Sequence, residues 1–244
     1  SIPQFSNMFI REAQIMSHLQ HSGIVNVIDF AKEEHTHVMV LEYVSGFQLK
    51  QWAKYRRFKG SPLPVEVVIQ IMMNVLSALD YAHNLKRPDG QHMHIVHRDI
   101  SAANILIDVE GRAKLLDFGI AFVAAGTEEH GTRATGFKGK LPYSAPELFS
   151  GGKASVLSDV YACGVVLHEI LTGKNQFASR DEQEIINRIM NEESKSVLEA
   201  RPLAPKELDD VLRRAMAKKP EYRYQSADDS GAHSGKSTPK TSRT

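Results

Sequence analysis

Two short signatures in fixed order constrain this chain more than anything else in it. The first is His97-Arg98-Asp99-Ile100-Ser101-Ala102-Ala103-Asn104, and eighteen residues after Asp99 comes Asp117-Phe118-Gly119. Each would be weak alone; ordered and joined by a hairpin-like segment, they form a phosphoryl-transfer constellation. Asp99 can take the proton of a hydroxyl group, while Asn104 and Asp117 offer oxygens that hold magnesium against ATP phosphates.

The rest of the chain reads as α+β, with strands early and helices late. Apolar spacing predicts a helix over residues 7–20, around Glu12, and then strands over residues 25–30 and 37–43, separated by the polar turn at residues 32–35. A short amphipathic helix is expected over residues 49–55. Val65, Val68, Ile69, Met72, Val75, Leu76 and Leu79 then mark a long helix after Pro62 and Pro64. A polar insert over residues 86–94 leads into the first signature. Short strands at residues 105–107 and 113–116 flank the turn Asp108-Val109-Glu110-Gly111. Residues 120–140 are Gly/Thr-rich and aperiodic, as expected of a mobile loop. Helices follow over residues 156–171, 181–192 and 205–217. The polar segment 230–244 buries too little apolar surface to order itself.

Composition narrows the function classes. The 244 residues, 42% of them apolar, suffice for one large domain or two lobes, and 30 basic against 29 acidic residues give no charge signal for nucleic acid or membrane. The single cysteine, Cys163, excludes an internal disulfide framework and suits a reducing cytoplasm; its apolar surroundings make it a core residue. No apolar run reaches the roughly 20 residues needed to cross a bilayer.

With these signatures in view, the chain resembles a eukaryotic-type protein kinase from about Phe9 to Asp228. The segment carrying Glu12 is similar to the regulatory helix of the small lobe. Val40-Leu41-Glu42-Tyr43-Val44 resembles the hinge that binds adenine through backbone groups, with Leu41 as gatekeeper. Ala145-Pro146-Glu147 resembles the end of the activation segment, Ser158-Asp159-Val160-Tyr161 the buried helix that anchors the catalytic loop, and Lys219-Pro220-Glu221-Tyr222-Arg223 the late segment whose arginine pairs with Glu147. The phrasing Val96-His97-Arg98-Asp99-Ile100-Ser101, after Arg87-Pro88-Asp89-Gly90, is most similar to serine/threonine kinases of Gram-negative bacteria such as myxobacteria.

The resemblance implies a two-lobe fold: residues 1–44 as a partial small lobe, 45–229 as a mainly helical large lobe, and 230–244 as a disordered tail. It implies ATP and Mg2+, a protein substrate, and these roles: Asp99 as catalytic base, Asn104 and Asp117 as metal ligands, and Leu41, Glu42, Val44, Leu106 and Glu12 around the nucleotide. His97 and Phe118 would stack with Met16 and Val27 in the column that aligns the lobes. Glu147, Arg223 and Asp159 would be structural. Arg98 would receive a phosphate placed on Thr135, or on Thr132 or Thr127 behind it.

The pattern breaks in two places. Where the family has lysine two residues after the catalytic aspartate, this chain has Ser101; where it has threonine after the glycine preceding Ala-Pro-Glu, this chain has Lys140 after Gly139. The expectation is a swapped pair, with Lys140 supplying the charge and Ser101 the hydroxyl. No Gly-x-Gly-x-x-Gly loop and no strand lysine precede Glu12, so the first three strands of the small lobe are expected to be missing and activity to need a longer chain. Residues 38–41 would then form an unprotected sheet edge, and the final large-lobe helix would give way to the tail.

The function expected is a serine/threonine protein kinase catalytic domain; the alternative is a kinase-like scaffold that binds partners without turnover. Two decoys fall away. Gly231-Ala232-His233-Ser234-Gly235-Lys236-Ser237 has three residues between its glycines where a phosphate-binding loop has four, and His92, His94 and His97 do not make a rigid three- or four-ligand metal set.

Overall fold

The computed structural model describes residues 16, 18–33, 36–118 and 140–230. Glu12, Thr127, Thr132, Thr135 and the tail beyond Ser230 lie outside the described residues.

Two small sheets meet at one crossing point. β1 (Val27–Glu33) and β2 (Thr36–Leu41) form an antiparallel pair, with Val27 opposite Leu41. The strands therefore run through Lys32 and Glu33, where the sequence pattern predicts a turn: alternation fades at a hairpin tip, but cross-strand bonding continues. β3 (Gly46–Gln48), which no sequence pattern discloses, pairs with β4 (Ile105–Asp108), and β4 with β5 (Ala113–Leu115). The link between the sheets is backbone: Leu115 N donates to Gly23 O at 2.8 Å and Val25 N to Leu115 O at 2.9 Å. Strand β5, which leads to Asp117, is thus bonded to the segment that leads into β1.

The helices form the bulk. α1 (Leu49–Phe58) and α2 (Val65–Asn84) precede the catalytic segment; α3 (Val156–Thr172), α4 (Glu182–Asn191) and α5 (Glu207–Ala215) follow it. α2 is long and apolar enough by composition to cross a bilayer. Its Val68, Met72, Val75 and Leu79 instead lie in the same buried cluster as Tyr161 and Val165 of α3. α3 starts at a Ser155/Ser158 capping box and stops at Gly173 in the left-handed region, φ 81°. Arg57 and Arg201 donate to the carbonyls at its C-terminal end, Leu171 O at 3.2 and 2.9 Å, where cations also oppose the helix dipole. Cys163 is buried in α3, as its surroundings predict, and burial pushes its thiol well above the ordinary range.

Residues 227–230 are helical and Ser230 is buried.

Candidate active site

Asp159, in the first turn of α3, organises the loop. Its carboxylate accepts from the backbone amides of His97, at 2.8 Å, and Arg98, at 2.9 Å, and His83 Nε2 at the end of α2 lies 2.9 Å away. Asp159 is 1% exposed, so these bonds form in a low-dielectric interior where they count for most. They hold a strained turn. Arg98, next to Asp99, has φ 67°, and Asp117 itself has φ 57°, both unusual for residues that carry a side chain.

Asn104 secures Asp99. Its Nδ2 donates to Asp99 O at 2.9 Å and to Asp99 Oδ2 at 2.8 Å. The amide oxygen of Asn104 is thereby left on the opposite side of the carboxamide. Leu116 N donates to Asn104 O at 2.9 Å, which locks the residue before Asp117 to the end of the loop. Sequence spacing thus becomes geometry: the β4–β5 hairpin brings Asp117 back beside Asn104. Lys140 Nζ also hydrogen-bonds Asp99 Oδ2, so two donors converge on one oxygen. Ser101 is 2% exposed, and its Oγ has no partner among the described residues.

The electrostatics follow from this crowding. Although its surface stays open, loss of hydration within the cleft pushes the Asp117 carboxyl above its ordinary range; Lys140 opposes that shift and Asp99 reinforces it. Burial pushes the His97 imidazole below its ordinary value, against the pull of Asp159 and then Asp99, so the ring is neutral. His97 packs on Phe118 with ring centroids 4.4 Å apart. Met16 and Phe118 share the main core cluster, with Val27 packed against it.

The donor set fits magnesium. Asn104 Oδ1 and the Asp117 carboxylate are hard oxygen ligands on adjacent strand ends, and an added cation would relieve the unfavourable charge on Asp117. Near the start of β4, Leu106 is half-buried opposite Lys114. Glu42 N donates to Asn26 O at 2.9 Å, and the Glu42 carboxylate is taken up by Lys114 and by Asn26 Nδ2. Among the described residues, the Glu42 carbonyl and the Val44 amide make no backbone hydrogen bond. Leu41 closes β2 directly before them.

Two structural partners sit farther out. Arg223, 1% exposed, binds Glu147 through its two terminal guanidinium nitrogens, at 2.8 and 2.7 Å, and also reaches Leu157 O and Lys218 O at 3.0 Å. Arg98 is exposed beside the loop. Sequence reasoning misses His83, Asn26 and Lys114, because nothing near them in the chain announces partners far away: His83 meets Asp159 across 76 positions.

A family profile described as protein kinase domain matches residues 2–233. Among curated proteins, the chain is 34% identical over 93% of its length to the tyrosine-protein kinase MasK of Myxococcus xanthus, and 35% identical over 93% to the serine/threonine-protein kinase PrkC of Bacillus subtilis. It spans only about a third of each, 35% and 33%. Among solved structures, the kinase domain of Mycobacterium tuberculosis PknI superposes with TM-score 0.72 at 25% identity, covering 98% of this chain and 83% of that one. Rad53 residues 1–466 in complex with AMP-PNP superpose with TM-score 0.73 at 25% identity, covering 93% and 54%.

Proposed function

The chain belongs to the protein kinase domain family, and on that premise we propose that it transfers the γ-phosphate of ATP to a serine or threonine hydroxyl of a protein. The observation that carries the reading is the Asp99–Asn104–Asp117 arrangement. With Asp99 Oδ2 occupied by Asn104 and Lys140, the other carboxylate oxygen is free to receive the proton of the incoming hydroxyl. That hydroxyl oxygen bonds to the γ-phosphorus as the bond to the β–γ bridging oxygen breaks, and ADP departs with the electron pair. Asn104 and Asp117 would hold the Mg2+ that accompanies ATP, and the ion would supply charge neutralisation for the phosphate oxygens. The Glu42 carbonyl and Val44 amide receive the adenine edge, above Leu106. The protein's own part is positioning, which is why a rigid, Asp159-anchored loop matters more than any reactive side chain.

Serine and threonine are favoured as acceptors because PrkC and further similar proteins are named serine/threonine-protein kinases, although MasK is named a tyrosine kinase. The test is transfer of labelled γ-phosphate to a casein-type protein with Mg2+, followed by phosphoamino-acid analysis. Phosphoserine and phosphothreonine are expected. Asp99→Asn should lower kcat by about 100- to 10,000-fold, the usual weight of a general base. ATP binding with no transfer would instead favour the scaffold reading.

A further inference from the structure

We propose that Lys140 is a catalytic cation of this site, placed against the transferring phosphoryl group from the activation segment and not from the catalytic loop. The inference deepens the kinase reading and rests on it. Lys140 Nζ hydrogen-bonds Asp99 Oδ2, so its ammonium lies against the carboxylate that borders the reaction. At 44% side-chain exposure it opens to the cleft, where a phosphate can reach it, whereas Asp99 beneath it is 13% exposed. Its backbone is held firmly. Tyr143 N donates to Lys140 O at 3.0 Å, residues 141–143 are buried in a 3-10 turn, and the Tyr143 hydroxyl donates to Glu169 of α3 at 2.5 Å.

The catalytic loop itself carries no cation at the position two after Asp99. Ser101, two positions after Asp99, is enclosed and its hydroxyl has no partner among the described residues. A buried polar atom without a partner is costly unless something completes it. The charge needed for transfer therefore comes from the segment that ends at Ala145-Pro146-Glu147.

Chain chemistry offers a clean test. Lys140→Cys adds one thiol to a protein whose sole cysteine, Cys163, is buried at 4% exposure. Bromoethylamine alkylates the new thiolate with loss of bromide and recreates a lysine-length ammonium. Lys140→Cys should lower kcat by about 100-fold, the cost of removing one preorganised charge or donor. Affinity for ADP should barely change, and preference for a non-hydrolysable ATP analogue over ADP should fall. Aminoethylation should restore both. Unchanged kcat, or a loss that aminoethylation does not reverse while the thermal midpoint is intact, overturns the inference. Wild-type protein that binds Mg–ATP but transfers nothing would instead overturn the kinase reading, and this inference with it.

Discussion

At the scale of single residues, the site is organised by groups that do no chemistry. Asp159 accepts two backbone amides and meets His83. Asp159→Ala would leave these donors buried without an acceptor, each costing about 1–3 kcal/mol. Urea unfolding should show a drop of several kcal/mol, and kcat should fall with it. Asp159 could be named from its resemblance to a helix-start motif; His83 could not, since a lone histidine at a helix end has many ordinary explanations. His168, buried in α3, illustrates a pH effect. Burial pushes its imidazole below the ordinary value, as it does for His97. The folded protein keeps these rings neutral, while the unfolded chain protonates them below about pH 6.5. The unfolded state then binds more protons, so stability should fall as pH drops through that value. His168→Gln should remove up to about 1.4 kcal/mol per pH unit of that slope between about pH 6.5 and 5.5, read from urea midpoints; an unaltered slope would assign the effect elsewhere.

At the scale of elements, close approaches set the tolerances. A Cβ on Gly46 would lie 2.0 Å from Ile107 O, so β3 can pair with β4 only through glycine. Gly46→Ala should cost about 1–3 kcal/mol and displace the segment that follows the hinge. Periodicity could not show β3, which has only 3 residues; a strand so short has no pattern and exists because β4 offers it partners. Among the described residues, β1 and β2 pair only with each other, with Ile28, Val38 and Val40 exposed at 65%, 38% and 41%. Unpaired apolar strands invite association. Val38→Lys should raise the concentration at which light scattering first reports aggregation, without changing far-UV circular dichroism.

At the scale of the whole molecule, long-range ties connect regions that sequence keeps apart. Arg223 joins the late part of the chain to Glu147 and to α3. Arg223→Ala would leave a carboxylate and several carbonyls without their partner, and breaking such a buried pair typically costs about 3–5 kcal/mol. The unfolding midpoint should fall accordingly, and Arg223→Lys should recover little, since one ammonium cannot satisfy a two-pronged contact. The exposed Arg98 leads to a regulatory expectation: phosphate on Thr135 or Thr132 would pair with it. Mass spectrometry before and after phosphatase treatment checks this, and a segment without phosphate in active protein would reject it. Much of this was legible in the chain itself. Asp99, Asn104, Asp117 and the helices from Val65 onward follow from local chemistry and apolar spacing, because a motif's function depends on residue type and a helix's on period. What tertiary structure alone decided was convergence. His83 reaches Asp159 across 76 positions, Lys114 reaches Glu42 across 72, and Ser101 is left enclosed without a partner among the described residues. Such contacts depend on how separate elements pack, and packing is a property of the assembled core, which no window of sequence contains.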